Sequence, residues 1–430
     1  MLAPRHLASM AVLVLTACTP QCTSIPALRD AHVPVASAPP AEPLAPAPPA
    51  AAVVVTGPAD APIVALAPGV HHTCALRGGQ VFCWGSNPGG ILGVEEHNLE
   101  AVLQPRRVPG LERVIEVVAD SDYTCAVDDS HAVYCWGDND RGQLGSGDTA
   151  RRTAPTRIAG LAADRLFAGY GRACAAVGAG FRCWGSGELG DGVAHHRQSI
   201  PLEIGGLAGA DDLALSEGNA CILKAGTIRC WGENASGQLG NGEGGCRYER
   251  EPCPTGGCLP PRECKHAPQP VDAVGLPRIV EVEVGGSHTH VRAVDGTIWV
   301  TGQQGVTMDY GADNLAYRPR PIVGLPAMIE LDAGASHACA LTAGGEVWCW
   351  GNNAFGQLGH PPGPRGGQEP PQRITSLPLA SALALGFYFS CALTGTGADA
   401  QVWCWGDNGR GQLGDGTTER RHTPVRVRWE

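Results

Sequence analysis

From residue 63 to its end the chain repeats one unit of about fifty residues, and a repeat of that period constrains the fold more than any single residue does. The first halves of six units read Thr73-Cys74-Ala75-Leu76, Thr124-Cys125-Ala126-Val127, Ala173-Cys174-Ala175, Cys221-Ile222-Leu223, Cys339-Ala340-Leu341 and Cys391-Ala392-Leu393. Their second halves read Phe82-Cys83-Trp84-Gly85, Tyr134-Cys135-Trp136-Gly137, Arg182-Cys183-Trp184-Gly185, Cys230-Trp231-Gly232, Trp348-Cys349-Trp350-Gly351 and Trp403-Cys404-Trp405-Gly406. A seventh unit, fifth in order, is degenerate: His290-Val291-Arg292, then Trp299-Val300-Thr301-Gly302. A Gly-rich turn follows, clearest in Gly142-Gln143-Leu144-Gly145, Gly237-Gln238-Leu239-Gly240, Gly356-Gln357-Leu358-Gly359 and Gly411-Gln412-Leu413-Gly414.

Each unit reads as four short strands. The first is apolar, as in Ile63 to Leu66, Val114 to Val118 and Ile329 to Leu331. The two Cys-bearing segments are the second and third. The fourth follows a Pro (Pro105, Pro155, Pro201, Pro270, Pro321, Pro371, Pro424), a residue tolerated where no ladder donor is needed. Units start near residues 63, 114, 164, 211, 279, 328 and 381. Four-stranded units of this period cannot bury both faces alone, and packing them in a ring does so. The pattern His-Thr-Cys-Ala-Leu, Gly-x-Val-x-Cys-Trp-Gly, Asn-x-x-Gly-Gln-Leu-Gly-x-Gly resembles the regulator of chromosome condensation repeat family over residues 63–430. The resemblance implies an all-β, seven-bladed β-propeller of four-stranded antiparallel blades. The last strand, Pro424 to Trp429, has no following blade and is expected to pair beside the first unit.

Hairpin arithmetic decides which cysteines can meet. Cys74 and Cys83 are symmetric about Gly78-Gly79, a favoured two-residue turn, so they face each other within disulfide range. Cys174 and Cys183 centre on Gly178-Ala179, and Cys221 and Cys230 on Ala225-Gly226. Cys125–Cys135 and Cys339–Cys349 take three-residue turns, and Cys391–Cys404 a longer loop. The fifth unit lacks both cysteines, with His290 and Val300 in their places, which is the joint loss a bonded pair would show. Six intrablade disulfides are therefore expected; free buried thiols are the alternative.

The remaining repeat positions read as structural. The histidines two before the first Cys (His72, His288, His337) sit on separate blades and suit hydrogen bonds between neighbouring strands better than a metal. His195-His196 falls in a loop. The Trp after the second Cys alternates faces with it, which suits packing between blades; a ring of exposed Trp would instead be a ligand platform. Asp138-Asn139-Asp140 and Asp407-Asn408 resemble fragments of calcium loops but lack their full acidic spacing, so they read as turn residues. The adjacent Asp211-Asp212 point apart. No nucleophile, phosphate-loop or zincin motif is present, so no catalytic residue, metal or cofactor is assigned.

One insertion, residues 244–267, departs from the repeat and carries Cys246, Cys253, Cys258 and Cys264. Four cysteines allow three pairings, and sequence does not choose among them; zinc is the competing reading. A long loop on a rigid scaffold is a candidate contact surface.

The N-terminus and the 18 cysteines bear on compartment. Arg5 and His6 precede the apolar run Leu7 to Leu15, too short to span a bilayer, and Leu15-Thr16-Ala17-Cys18 follows. That ending resembles a bacterial lipobox and implies cleavage after a signal peptide of residues 1–17 and lipidation of Cys18. Residues 18–62 are rich in Ala and Pro and read as a disordered tether reaching on the order of 100 Å. Cys22 lies in it. The expected setting is the bacterial cell envelope, outside the cytoplasm, with the membrane engaged through the lipid. Net charge is −11 with no long basic run, so nucleic acid is not an expected partner. The leading functional reading is a non-catalytic scaffold for a protein or ligand, in line with family members that act as protein-binding platforms. Guanine-nucleotide exchange on a small GTPase, the founding member's activity, conflicts with export. An enzyme acting on envelope polysaccharide is the third reading, and clustered carboxylates would favour it.

Overall fold

The repeat folds unit by unit, each as four antiparallel strands in chain order. The computed structural model describes residues 61–194, 196–248, 262–303, 315–363 and 367–429. The signal peptide of 1–17, the tether as far as residue 60, Cys18, Cys22, His195, Cys253 and Cys258 lie outside them. Seven four-stranded sheets form seven blades of a β-propeller. The two short helical turns among the described residues are 3-10 turns, Gly205–Leu207 and Gly397–Asp399. The innermost strands are Ile63–Pro68, Val114–Asp120, Arg165–Gly169, Asp212–Leu215, Ile279–Val284, Met328–Ala333 and Ala380–Leu385.

The second and third strands pair so that the first and second Cys of each unit oppose one another, as Cys74 opposes Cys83 and Cys125 opposes Cys135. In the first blade the turn is Gly78-Gly79, both at positive φ (58° and 72°). Disulfides join Cys74–Cys83, Cys125–Cys135, Cys174–Cys183, Cys221–Cys230, Cys339–Cys349 and Cys391–Cys404, with Cα separations of 4.0–4.1 Å. In the fifth blade His290 opposes Val300.

The Gly of Cys-Trp-Gly has a separate job. In every blade the third-to-outer strand register slips just before it, for example between Cys83 and Gly85, Val300 and Gly302, and Cys404 and Gly406. That slip is a β-bulge, and the glycine adopts a positive φ there (106° at Gly137). A Cβ on Gly137 would lie 2.4 Å from the Asp122 carbonyl oxygen.

The bulge corrects one expectation. The prolines do not precede the outer strand; they lie inside it, opposite the slip. Pro105 sits between Val102, which faces Gly85, and Arg106, which faces Cys83; Pro424 sits likewise between Arg421 and Val425. The bulge has removed the ladder bond that Pro could not make. In the fifth blade the matching residue is Pro319 rather than Pro321, because Arg320 faces Val300.

Blades are joined by the tryptophans, all six buried. Each indole N–H reaches back to the blade before it. Trp136 donates to the Leu92 carbonyl at 3.0 Å, Trp184 to Gln143 at 2.8 Å, Trp231 to Glu188 at 3.0 Å and Trp405 to Gln357 at 2.8 Å. Trp84 closes the circle by donating to Gln412 of the last blade at 2.9 Å. The Gly-Gln-Leu-Gly loops are thus receptors for the next blade's indole. An Asn braces most of them from within, as Asn139 Oδ1 accepts the Leu144 N–H at 3.0 Å, and in the third blade Arg172 donates to the Glu188 carbonyl instead. The degenerate fifth blade compensates twice: its Thr301 hydroxyl donates to the Gly237 carbonyl in place of an indole, and its His290 accepts from Trp350.

Ring closure also differs from expectation. The final strand, Arg421–Arg426, pairs with Gln401–Gly406 of its own blade, since each unit supplies four strands and none is left over. Beyond it Trp429 packs edge-on against Phe82 and Trp84 of the first blade, at 5.5 and 6.0 Å. One core cluster runs across this seam, from Phe389, Leu413 and Val427 to Ile63, Leu76 and Trp84.

The Cys-rich insertion begins and ends as a two-stranded ribbon, Cys246–Tyr248 with Arg262–Cys264, before the outer strand resumes at His266. Its register sets Cys246 opposite Cys264, and Cys264 is disulfide-bonded.

Candidate functional site at the axial channel

The inner strands surround an axial channel. At one end, where each inner strand turns into the second, a cavity of about 180 Å³ takes lining residues from all seven blades, among them Pro68, Asp120, Tyr170, Glu217, Glu283, Asp332 and Phe387. A second cavity of about 270 Å³ is lined by Leu66, Val118, Arg165, Asp212 and again Glu283.

Carboxylates recur on and beside the inner strands for a local reason. An inner strand is the edge of its sheet, so its free N–H groups need acceptors. Acidic side chains on the preceding blade provide them. Glu116 accepts from the Leu166 N–H at 2.8 Å, Glu281 from Leu331 at 3.2 Å, Glu330 from Leu383 at 2.7 Å and Asp332 from Leu385 at 2.8 Å. Two guanidinium groups join them: Arg165 pairs with Asp212 at 3.1 Å, and Arg292 with Glu281. Asp211 turns the other way and accepts from the Ala225 N–H, so the adjacent pair does point apart.

Burial raises these carboxyl groups against the pull of their hydrogen bonds. Glu330 is pushed up to about 7, and Asp332 and Asp120 to about 6, burial being the largest cause in each. Glu283 is raised well above the carboxylate range, first by burial and then by the charges of Asp332, Glu281, Asp212 and Glu330.

Aromatic residues rim the mouth at the blade seams. Phe355 stacks on Tyr388 at 4.8 Å, Phe387 meets Tyr388 edge-on at 4.6 Å, and Arg420 lies over Phe355 at 4.5 Å. Across the mouth, Arg141 lies over Tyr170 at 4.7 Å. The arrangement is a rigid, polar-floored opening with half-buried rings at its edge.

The residues singled out from sequence lie elsewhere. Two of the three repeat histidines tie neighbouring blades, His72 Nε2 lying 3.1 Å from Thr124 Oγ1 and His337 Nε2 2.9 Å from Ser390 Oγ, whereas His288 packs edge-on against His290. Among the described residues no three His, Cys, Asp or Glu side chains converge as a metal set. The channel acids escaped the sequence reading, which took inner strands as simply apolar. The available signal was Glu or Asp at alternate positions of otherwise apolar strands, as in Ile279-Val280-Glu281-Val282-Glu283 and Met328-Ile329-Glu330-Leu331-Asp332.

Models of the regulator of chromosome condensation (RCC1) repeat match residues 78–168 and 329–430 in overlapping segments. The chain carries RCC1 repeats. Its fold is similar to that of Prp20p from Saccharomyces cerevisiae, with a TM-score of 0.66, 21% identity, and coverage of 86% of this chain and 88% of the other. Human WBSCR16 is similar too, with a TM-score of 0.65, 21% identity, and coverage of 78% and 88%. By sequence the chain is 30% identical over 191 residues to the E3 ubiquitin-protein ligase HERC2 of Mus musculus, a stretch that is 41% of this chain and 4% of the ligase. It is 32% identical over 103 residues to the ultraviolet-B receptor UVR8 of Arabidopsis thaliana, covering 24% of this chain and 23% of the receptor. The chain thus spans only small parts of these curated relatives.

Proposed function

We propose that this RCC1-repeat propeller is a non-catalytic binding scaffold, held outside the cytoplasm by a lipid on Cys18, that engages a protein partner across the mouth of its axial channel. The observation that carries the reading is the mouth itself, where turns from all seven blades and the Phe355, Phe387 and Tyr388 rings converge on one opening. Six disulfides suit an oxidising compartment and hold that opening rigid. Prp20p, similar in fold, has binding properties toward Gsp1p and histones, and Kap60 binds yeast RCC1; both support a protein partner by analogy.

Crosslinking in intact bacterial cells, followed by recovery of the chain from the membrane fraction, tests the reading. Wild type should carry a palmitate analogue and a discrete protein adduct, and Cys18→Ser should lose the label. A Cys18→Ser chain labelled like wild type removes the anchor, and wild type without adduct removes the partner.

The clustered channel carboxylates favour polysaccharide chemistry as a second reading. Against it, Glu330, Asp332 and Glu281 are each committed to a backbone N–H of the next blade. Release of reducing ends from envelope glycan by wild type but not by Glu330→Gln would establish it.

A further inference from the structure

Of the channel carboxylates on the inner strands, Glu283 stands apart. By register, the residue facing the first Cys position across the inner pair is Ala67, Val118, Phe167, Ala214 and Ala384 in five blades. In the fifth and sixth blades it is Glu283 and Asp332. Asp332 accepts from the Leu385 N–H, whereas no donor or ion-pair partner reaches Glu283 among the described residues, although it lines both cavities. Glu283 is half-buried in the channel wall, and with no donor beside it only a proton or a cation can offset the repulsion of the acidic groups around it. Around it, Asp212, Glu281, Glu330 and Asp332 add four acidic groups, against the two cations Arg165 and Arg292. His290, opposite Glu283 on the second strand, is held neutral by burial, as is His288 beside it.

We propose that the axial channel binds an organic cation, an ammonium or guanidinium group on a slender alkyl chain, whose charge passes the Tyr170 and Phe387 rim to reach Glu283 and Asp332. The mouth cavity, about 180 Å³, is smaller than the usual drug-sized pocket of roughly 300–1,000 Å³, so a thin chain fits and a bulky ligand does not. The acids are spread over three blades and do not converge as a metal set, which matches an extended cation better than a metal ion. Aromatic walls favour cations that carry alkyl groups. A free polyamine and a Lys or Arg side chain of a partner share this chemistry. The inference rests on reading the mouth as a binding surface, and it needs neither the lipid anchor nor export.

Titration calorimetry on the full chain tests it, with spermidine, a Lys-rich peptide and magnesium chloride as separate ligands. Saturable binding of spermidine or the peptide is expected, at least tenfold weaker in Glu283→Gln and in Asp332→Asn. The control Glu112→Gln, whose side chain is 79% exposed beyond the channel, should bind as wild type does. Affinity should fall from pH 8 to pH 5.5 as protons compete for Glu283, Glu330, Asp332 and Asp120, whose carboxyl groups burial raises; Asp212, Glu281, Arg165 and Arg292 are the other charged groups around them. Binding by spermidine alone would mark a free amine as ligand, and binding by the peptide alone would mark a partner's side chain. Unchanged affinity in both channel variants, equal displacement by magnesium, or no saturation would overturn the proposal. A Glu283→Gln chain that still captures the crosslinked partner but no cation response in wild type would leave the scaffold reading standing without it.

Discussion

At the residue scale, the Gly of each Cys-Trp-Gly shows how far sequence reaches. The recurrence of Gly85, Gly137 and their equivalents is plain in the chain, but its reason is not: the glycine is the bulge residue, and its missing Cβ makes room for the carbonyl just ahead of the second strand. Gly137→Ala should destabilise the protein by roughly 1–3 kcal/mol, read as a lower urea midpoint at unchanged slope. Ala at exposed Gly110, where a Cβ would meet nothing within 4 Å, should cost less, although both positions have a positive φ. The channel acids were not legible, because strand alternation does not say which blade face or which N–H a side chain will meet. Glu330, pushed up to about 7, gives a signed test. Its folded pKa lies above the unfolded value near 4.5, so its contribution is full below about pH 4.5 and is lost as pH rises through 7. Glu330→Gln removes that loss. Its stability relative to wild type should therefore rise between pH 5 and pH 8, by on the order of 2–3 kcal/mol at most. An equal offset at both pH values would show that the shift is absent.

The histidines act with the opposite sign. His337 and His288 are lowered to about 3 and about 4 by burial. Their neutral forms stabilise the fold fully above about pH 6.5, and that contribution declines as pH falls, because the unfolded chain protonates first. Stability measured from pH 7 to pH 4 should drop less steeply in His337→Gln than in wild type.

At the element scale, the blade is a hairpin braced twice, by a disulfide within and by an indole to the blade before. The hairpin pairing was readable because Gly78-Gly79 and its equivalents fix the register. The indole bonds were not, since their acceptors lie about 40 or more residues away in the previous unit's loop, a separation that local pattern does not span. Replacing Cys125 and Cys135 together by Ser should cost about 2–3 kcal/mol, the scale expected for a short closed loop. The fifth blade has already lost this brace. Its His290 meets Trp350 instead, so His290→Ala should leave the indole unsatisfied and destabilise by about 1–3 kcal/mol, measured by chemical denaturation.

At the scale of the whole molecule, the ring follows from seven units that each lack one partner. Each repeat Trp needs an acceptor on the preceding blade, a loop carbonyl in five cases and His290 for Trp350, and Trp84 finds its own only in the last blade, so closure is part of the same rule. The seven-fold count and the all-β class were legible from the repeat. The closing strand was misplaced, because nothing in Pro424 to Trp429 alone says that its own blade already has room for it. Closure brings seven turns together at one mouth, a surface that no single unit has and to which every blade contributes. Photo-crosslinking in intact cells tests partner docking at that mouth most directly, with a benzoylphenylalanine placed at Tyr388 on the mouth or at exposed Ser130 in the hairpin turn at the opposite end of its blade. A discrete protein adduct is expected from Tyr388 and none from Ser130. Adducts from Ser130 alone, or equally from both positions, would contradict docking there.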